Sequence, residues 1–493
     1  MRRTSSVNSS RPSHAAFVIP QEIVSLIIDE VAFQLHTSPE ARKTTLATLR
    51  ACSLVSNSFY QQARRHLFSE IHFLVDNRSR KYTSGLRSLG VGERDGLVNT
   101  IRSLTLTVDL LSTKKNSIIR RIGFNNAYTS SWENILRFFD SLKLRHTDVV
   151  AVIDALNTAC LENLEVVGKR SFHAWNSGDK VNSALSRVCT NDTLESLRLD
   201  RVLAVPQALL TDAIGSNHLY NLHLSKISIA RTANHETSHG GHASFPQTSS
   251  LRQLEATGFP CATLFNILRS NDHTDSPSTP RYLAFPHLRR LTISVPTLPS
   301  EMDELWHFLQ HVSQTLESLE LQQYKWSMND VLSQGPIRLS SLSSLRNLKL
   351  TTTSFDTNKN FSSKQEMVAR FLASDSLASQ ITSITIDLYV HRNLKQKQKD
   401  RNMSWRDLGP HSGWAAIDSA LSTPAFPNLR QVVFNVKLFY FVKDSHHIRL
   451  QHEMAISAHN LLPSLASMSS IATDISLYTI CSPQSFLDHF SVL

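Results

Sequence analysis

The sequence predicts an α/β chain. A small N-terminal module of three helices is followed by an irregular solenoid of repeated units, with parallel strands on one face and helices on the other. Three observations predict this. Apolar residues at helical spacing crowd residues 17–73, a six-residue L-x-x-L-x-L frame recurs between residues 101 and 434, and amphipathic helical stretches fall between its copies. With 493 residues, 41% of them hydrophobic, the chain is long enough for two to four compact domains or one extended repeat array.

The helical module comes first in chain order, after a short polar tail over residues 1–16. Pro20 sits where a helix begins, a position at which its missing N–H costs nothing, and Glu22 follows in the first turn. Ile23, Leu26, Ile27 and Val31 then form an apolar face, which Val24 and Ile28 widen beyond the needs of one small core. After a polar gap, Leu49, Cys52, Val55 and Phe59 fall on one stripe with Leu54 beside it, and a third short helix carries Ala63, Leu67 and Phe68. Three helices in about 50 residues bury too little surface to be comfortable alone. A partner covering the surplus apolar face would resolve this, whereas an ordinary helical cap on a larger fold would not need the surplus.

The order of these residues resembles an F-box of the kind common in fungal proteins. The start Ile19-Pro20-Gln21-Glu22-Ile23, the pair Ile27-Ile28, the stretch from Cys52 to Phe59 and the ending Ala63 to Ile71 follow that family's pattern. Ser56 stands where the family has cysteine and Phe59 where it has tryptophan, so small and bulky residues keep their places. The resemblance covers residues 17–73. It implies binding to the Skp adaptor of a cullin-type ubiquitin ligase, with Ile19, Pro20, Ile23, Leu26, Ile27, Leu54, Val55, Phe59, Leu67 and Phe68 as the docking residues.

Beyond a linker at 74–100, the repeat frame begins at Ile101, Leu161, Leu194, Leu219, Leu251, Leu288, Leu316, Leu345, Ile381 and Leu429, with a less regular copy at Ala472. Each copy ends in alternation, the mark of a short strand with one buried face. Helical stretches at 132–142, 149–159, 206–214, 262–268, 302–312, 365–372 and 414–421 lie between copies. Strand then helix, repeated, is the leucine-rich-repeat architecture, in which no unit can bury its apolar face without its neighbours. The expected solenoid spans 101–493. Its spacing is uneven. The positions where regular repeats carry asparagine or cysteine hold residues such as Val202, Ile227 and Phe259, so no side-chain ladder is expected. Phe285-Pro-His-Leu288 and Phe426-Pro-Asn-Leu429 resemble repeat starts in fungal F-box proteins.

Composition excludes several classes. The five cysteines are scattered without a C-x-x-C, which argues against a disulfide framework and for a reducing compartment, cytoplasmic or nuclear. No run of about 18 apolar residues exists to span a membrane. The net charge of +10 is gathered densely only at Lys395–Arg401, in a polar insertion, so nucleic-acid binding is not expected. Glycine, at 14, is scarce for a nucleotide-binding enzyme, and no cofactor is expected.

His235-Glu236-Thr-Ser-His239 matches the zinc-protease motif H-E-x-x-H, which needs both histidines on one helix face. Here Gly240-Gly241 and many serines and threonines surround it, which predicts a loop between strands and no metal site. A zinc hydrolase is therefore the remote alternative. Strand residues pointing away from the core form a mixed charged row. Arg198, Asp200, His223, Glu255, Arg290, Glu320, Lys349 and Asp387 are the candidates for holding a protein target, against the plainer expectation of a solvated sheet face. The resemblance thus implies a non-catalytic substrate receptor that bridges the Skp adaptor, and through it a cullin, to an unknown protein. The alternative is a scaffold that uses the helices only as a cap.

Overall fold

The computed structural model of the protein describes residues 19–36, 38–76, 102–109, 161–168, 173–174, 187–188, 191–203, 205–229, 248–269, 282–296, 298–323, 337–355, 358–373, 378, 380–391, 412–439 and 461–480. The expectations for the 1–16 tail, most of the 74–100 linker, the helices at 132–142 and 149–159, the basic stretch 395–401 and the histidine motif at 235–239 lie outside those residues.

The module consists of α1 (Gln21–Phe33), α2 (Pro39–Cys52) and α3 (Asn57–Leu67). The Pro20 carbonyl accepts the Ile23 and Val24 N–H groups and starts α1. Ser38 caps α2, its Oγ accepting the Ala41 N–H at 3.1 Å with Pro39 in the first turn. Ser56 caps α3 through the Phe59 N–H at 3.4 Å. The expected second helix, with Leu49 to Phe59 on one stripe, is therefore two helices. Leu49 belongs to α2, Phe59 to α3, and Leu54 and Val55 sit in the turn between them. The expected roles on α1 are also exchanged. Val24, Ile28 and Ala32, one turn apart, enter the core with Leu49 and Ala63, while Ile23, Leu26 and Ile27 point out.

Fourteen strands follow among the described residues: β1 (Glu70–Asp76), β2 (Ser103–Asp109), β3 (Asn163–Gly168), β4 (His173–Ala174), β5 (Ser196–Asp200), β6 (Val202–Leu203), β7 (Asn221–Ser225), β8 (Gln253–Thr257), β9 (Arg290–Ser294), β10 (Ser318–Gln323), β11 (Asn347–Phe355), β12 (Ser383–His391), β13 (Gln431–Phe439) and β14 (Ala472–Ile480). Twelve form one parallel sheet in chain order, and β4 pairs separately with β6. Each strand thus lies beside the next copy of its own motif, as stacking requires.

The frame sets the register. Leu104, Leu164, Leu197, Leu222, Leu254, Leu291, Leu319, Leu348, Ile384 and Val432 stand in one cross-strand row, all buried. The helices α4 (Gln207–Gly215), α5 (Cys261–Leu268), α6 (Pro299–His311), α7 (Asn358–Ala373) and α8 (Ser412–Leu421) overlap the expected stretches where those are described, α7 starting seven residues earlier; α9 (Pro463–Ser467) matches no expected stretch, and the apolar sides of all six join the same core. Where a regular repeat would carry its asparagine ladder, Val202, Ile227 and Phe259 are buried apolar fill.

A backbone seam runs along the strand starts instead. The carbonyl of the second frame residue accepts two N–H groups from the next repeat. Arg102 accepts from Glu162 and Asn163, Glu162 from Glu195 and Ser196, and Arg252 from Arg289 and Arg290. The pattern holds through Thr382, which accepts from Arg430 and Gln431.

Two boundaries move. The seam begins at Ser69, whose carbonyl accepts the Arg102 and Ser103 N–H groups, so Phe68-Ser-Glu-Ile-His-Phe73 is itself a repeat frame and β1 crosses the expected edge of the linker. At the far end Gln431 pairs with Ala472, which shifts the last frame two residues before the expected one and puts Thr473 beside Val432 in the inward row. The apolar match at Ala472, Ile475 and Leu477 hid this shift.

Candidate docking patch and outer sheet face

The sequence leaves the helical module with more apolar surface than it covers. Leu54 is 87% exposed, Val55 69% and Leu26 66%. Ile19, Ile23 and Ile27 are each more than two-fifths exposed, and Pro20 is exposed beside them. Four of these lie on or just before α1, and two lie in the α2–α3 turn. Phe33 and Tyr60, which sequence reasoning did not single out, are also exposed. Phe59 and Leu67 behave differently: both pack against the module's own core. Phe68 is about as exposed as Tyr60 but caps α3 at the junction with β1. Of the ten expected docking residues, then, Phe59 and Leu67 serve the module's interior at least in part.

Arg42 of α2 forms an ion pair with Glu70 and so ties the module to β1, while within the module His66 Nε2 of α3 lies 2.7 Å from Asp29 Oδ1 of α1.

On the outer face of the sheet, the eight expected target residues do project away from the leucine row, but they are not a uniform solvated stripe. Neighbouring strands pair them. Arg198 meets Glu165 at 3.2 Å, and His223 Nδ1 meets Glu255 at 2.7 Å. The densest group lies on β10–β13. Lys349 bridges Glu320 at 3.0 Å and Asp387 at 3.4 Å, Lys437 reaches Asp387 at 3.6 Å, and Asn435 Nδ2 donates to Asp387 Oδ1 at 2.7 Å. Lys437 Nζ also donates to the Tyr389 hydroxyl at 2.9 Å.

The Asp387 side chain is only 4% exposed, and Asp200 is buried too. Those two expected target residues are corrected. Asp387 is the hub of a network that holds four strands in line, and Asp200 is screened beside Arg201 at 3.8 Å. Burial alone would lower the Lys349 ammonium, but Asp387 and Glu320 outweigh it and hold the group above its ordinary value. Burial likewise opposes the Lys437 ammonium, and its hydrogen bond to Tyr389 together with Asp387 raises it above the ordinary value. Arg290 is exposed at the start of β9.

Lys226 shows the opposite behaviour. Burial and the neighbouring Arg201 lower it, against the pull of Asp200. Arg201, Lys226 and Gly258 hold the same place after their strands, all with positive φ (57°, 52° and 62°). This turn lets the Arg201 and Lys226 N–H groups reach the Ser225 and Thr257 carbonyls.

Among the described residues no three histidine, cysteine or acidic side chains gather as a metal site. Burial pushes the Cys261 thiol up to about 12, with Glu301 and Glu304 adding to it, and its Sγ donates to the Ser294 carbonyl at 3.1 Å. Such a thiol is a packing group and not a nucleophile. No described helix is long and apolar enough to cross a membrane.

No family model matches the sequence, and no curated protein matches it. Among solved structures, it is similar to a chain in the crystal structure of the yeast Rad7 and Elc1 complex, with a TM-score of 0.30 and 14% identity over 88% of this chain and 85% of that chain. The repeat assignment stands on the strand register and the leucine rows.

Proposed function

We propose that this chain is the substrate-recognition subunit of a Skp–cullin–F-box type ubiquitin ligase. The observation that carries the reading is that Ile19, Ile23, Leu26, Ile27, Leu54 and Val55 are all left uncovered on a module with only five buried apolar core residues. A solvent-facing helical cap has no use for six exposed large aliphatic side chains. Apolar surface in such excess on a small folded module marks a protein interface.

In this reading the patch holds the Skp adaptor and the outer sheet face holds a target. Tethering raises the target's local concentration near the loaded ubiquitin carrier. The chain itself makes no covalent bond and works in the cytoplasm or nucleus. Arg198, His223, Glu255, Arg290, Glu320 and Lys349 remain the target-facing residues. Their mixed charges, many already paired across strands, favour a polar protein surface as the target's side of the contact.

The test is calorimetric titration of the purified full chain with a purified Skp adaptor. Wild type binds, and Leu26→Asp, which changes an exposed residue, loses about 2 kcal/mol or more of affinity. An adaptor that binds neither protein, or binds both equally, overturns the reading and leaves the helices as a cap.

A further inference from the structure

A second surface lies between the module and the first strand. An open groove of about 700 Å³ is walled by Phe33 at the end of α1 and Leu35 just after it, Leu46 and Arg50 of α2, Tyr60 and Arg64 of α3, and Phe68 at the junction. Its charges do not cancel. Asp29 is taken by His66 and Glu70 by Arg42, and these four groups also line the groove. Arg50 and Arg64 are left without an acid.

Arg64 is the telling residue. It is 8% exposed, and its buried Nε has no hydrogen-bond partner. Its nearest electron-rich neighbour is the Tyr60 ring, 5.9 Å from the guanidinium carbon. A buried N–H without an acceptor is costly to the fold. The module's own packing gives that Nε no acceptor, and an anion entering the groove would.

We propose that this groove binds a peptide segment carrying a side-chain anion next to a large apolar residue. The anion would face Arg64 and Arg50, and the apolar residue would lie against Phe33, Leu46 and Phe68. The groove is open to solvent, which suits a passing chain better than an enclosed small molecule. The two unpaired arginines specify the charge, and the apolar walls specify the neighbour. The planar guanidinium fork pairs two oxygens of a carboxylate or of a phosphate; the anion proposed here is a carboxylate, and a phosphate is an outcome of the test. The proposal does not rest on the Skp-docking reading: of the ten expected docking residues only Leu67 and Phe68 line the groove, and the exposed Ile19, Ile23, Leu26, Ile27, Leu54 and Val55 are outside it.

The test uses the full chain and fluorescence anisotropy of a short fluorescein-labelled peptide in which glutamates flank Leu-Phe. Companion probes replace the glutamates by glutamine or by phosphoserine. The glutamate peptide binds; tighter binding of the phosphoserine peptide overturns the carboxylate assignment. The glutamine peptide binds at least tenfold more weakly.

Arg50→Glu changes an exposed residue and reduces binding of the acidic probe tenfold or more. Arg64→Met removes the orphan group, so the variant melts at the same temperature as wild type or higher while losing the probe. Leu54→Asp binds the probe as wild type does, which separates this site from the adaptor patch. Equal binding of the acidic and glutamine peptides, no binding of either acidic probe, or unchanged affinity in Arg50→Glu overturns the proposal.

Discussion

Leu54→Asp and Phe59→Asp look equivalent in the sequence, and the structure makes them opposites. Leu54 is 87% exposed in the turn between α2 and α3, so its replacement costs the fold no more than about 0.5 kcal/mol. If the patch is an adaptor interface, that side chain is buried on binding. The variant then forfeits about 1.5–3 kcal/mol of apolar burial. It must also bury a carboxylate, at a cost of at least 1–3 kcal/mol or so. The total, roughly 3 kcal/mol or more, is a hundredfold or greater rise in Kd.

Phe59 is partly buried and packs against the cluster formed by Val24, Ile28, Ala32, Leu49 and Ala63. Losing a large aromatic that covers such a core costs up to about 3–5 kcal/mol, comparable to the whole stability of so small a unit. Phe59→Asp therefore loses binding by unfolding the module. Calorimetry against the Skp adaptor, paired with amide hydrogen exchange over α1–α3, separates the two. Leu54→Asp should keep wild-type protection and lose binding, while Phe59→Asp should lose both. A Leu54→Asp protein with intact protection and a Kd within threefold of wild type would refute the reasoning.

Two further outcomes concern the solenoid. Gln365 of α7 is fully buried with neither amide atom hydrogen-bonded, so Gln365→Met, which keeps its length, should raise stability by about 1–3 kcal/mol in urea denaturation followed by tryptophan fluorescence; a destabilised variant would mean the amide has partners after all. Lys349 is held above its ordinary value of 10.5, so its contribution is complete below pH 10.5 and fades as pH rises through the higher folded value. The stability difference between wild type and Lys349→Met should therefore be flat from pH 7 to about 10 and shrink above that, whereas a difference that grows with alkalinity contradicts the Asp387 network.

The strands were readable because leucine at three fixed places leaves one face no alternative but the core. Successive repeats then aligned themselves, as the row from Leu104 to Val432 shows. The helix α2 was not readable. Between Pro39 and Leu49 only Thr45 and Leu49 are fully buried, and a threonine does not announce an apolar stripe. The signal that could have found it is Ser38-Pro39-Glu40, a cap, a first-turn proline and an acid in sequence. On α1 the apolar residues are so many that pattern alone could not say which face looks inward. The buried state of Asp387 was invisible for another reason: Lys349 and Lys437, which surround it, come from other repeats, and alternation marks an outward residue without saying what lies over it. The β1 repeat is hidden in the sequence because Phe68 serves two patterns at once, the end of the helical motif and the start of a strand frame.

The Ser69 carbonyl is the last feature of the helical module and the first rung of the backbone seam. That coincidence turns the chain into a ruler. The seam starts within two residues of α3, and Arg42 pairs with Glu70 across the joint, so the helical module is joined to the sheet with almost no intervening chain. Twelve strands stacked about 4.8 Å apart then mark off roughly 50 Å from the first to the last. Under the proposed function, a target held at Lys349 on β11 would stand several strands away from an adaptor held at Leu54. Changing that distance takes the insertion or loss of a whole repeat, in steps of one strand.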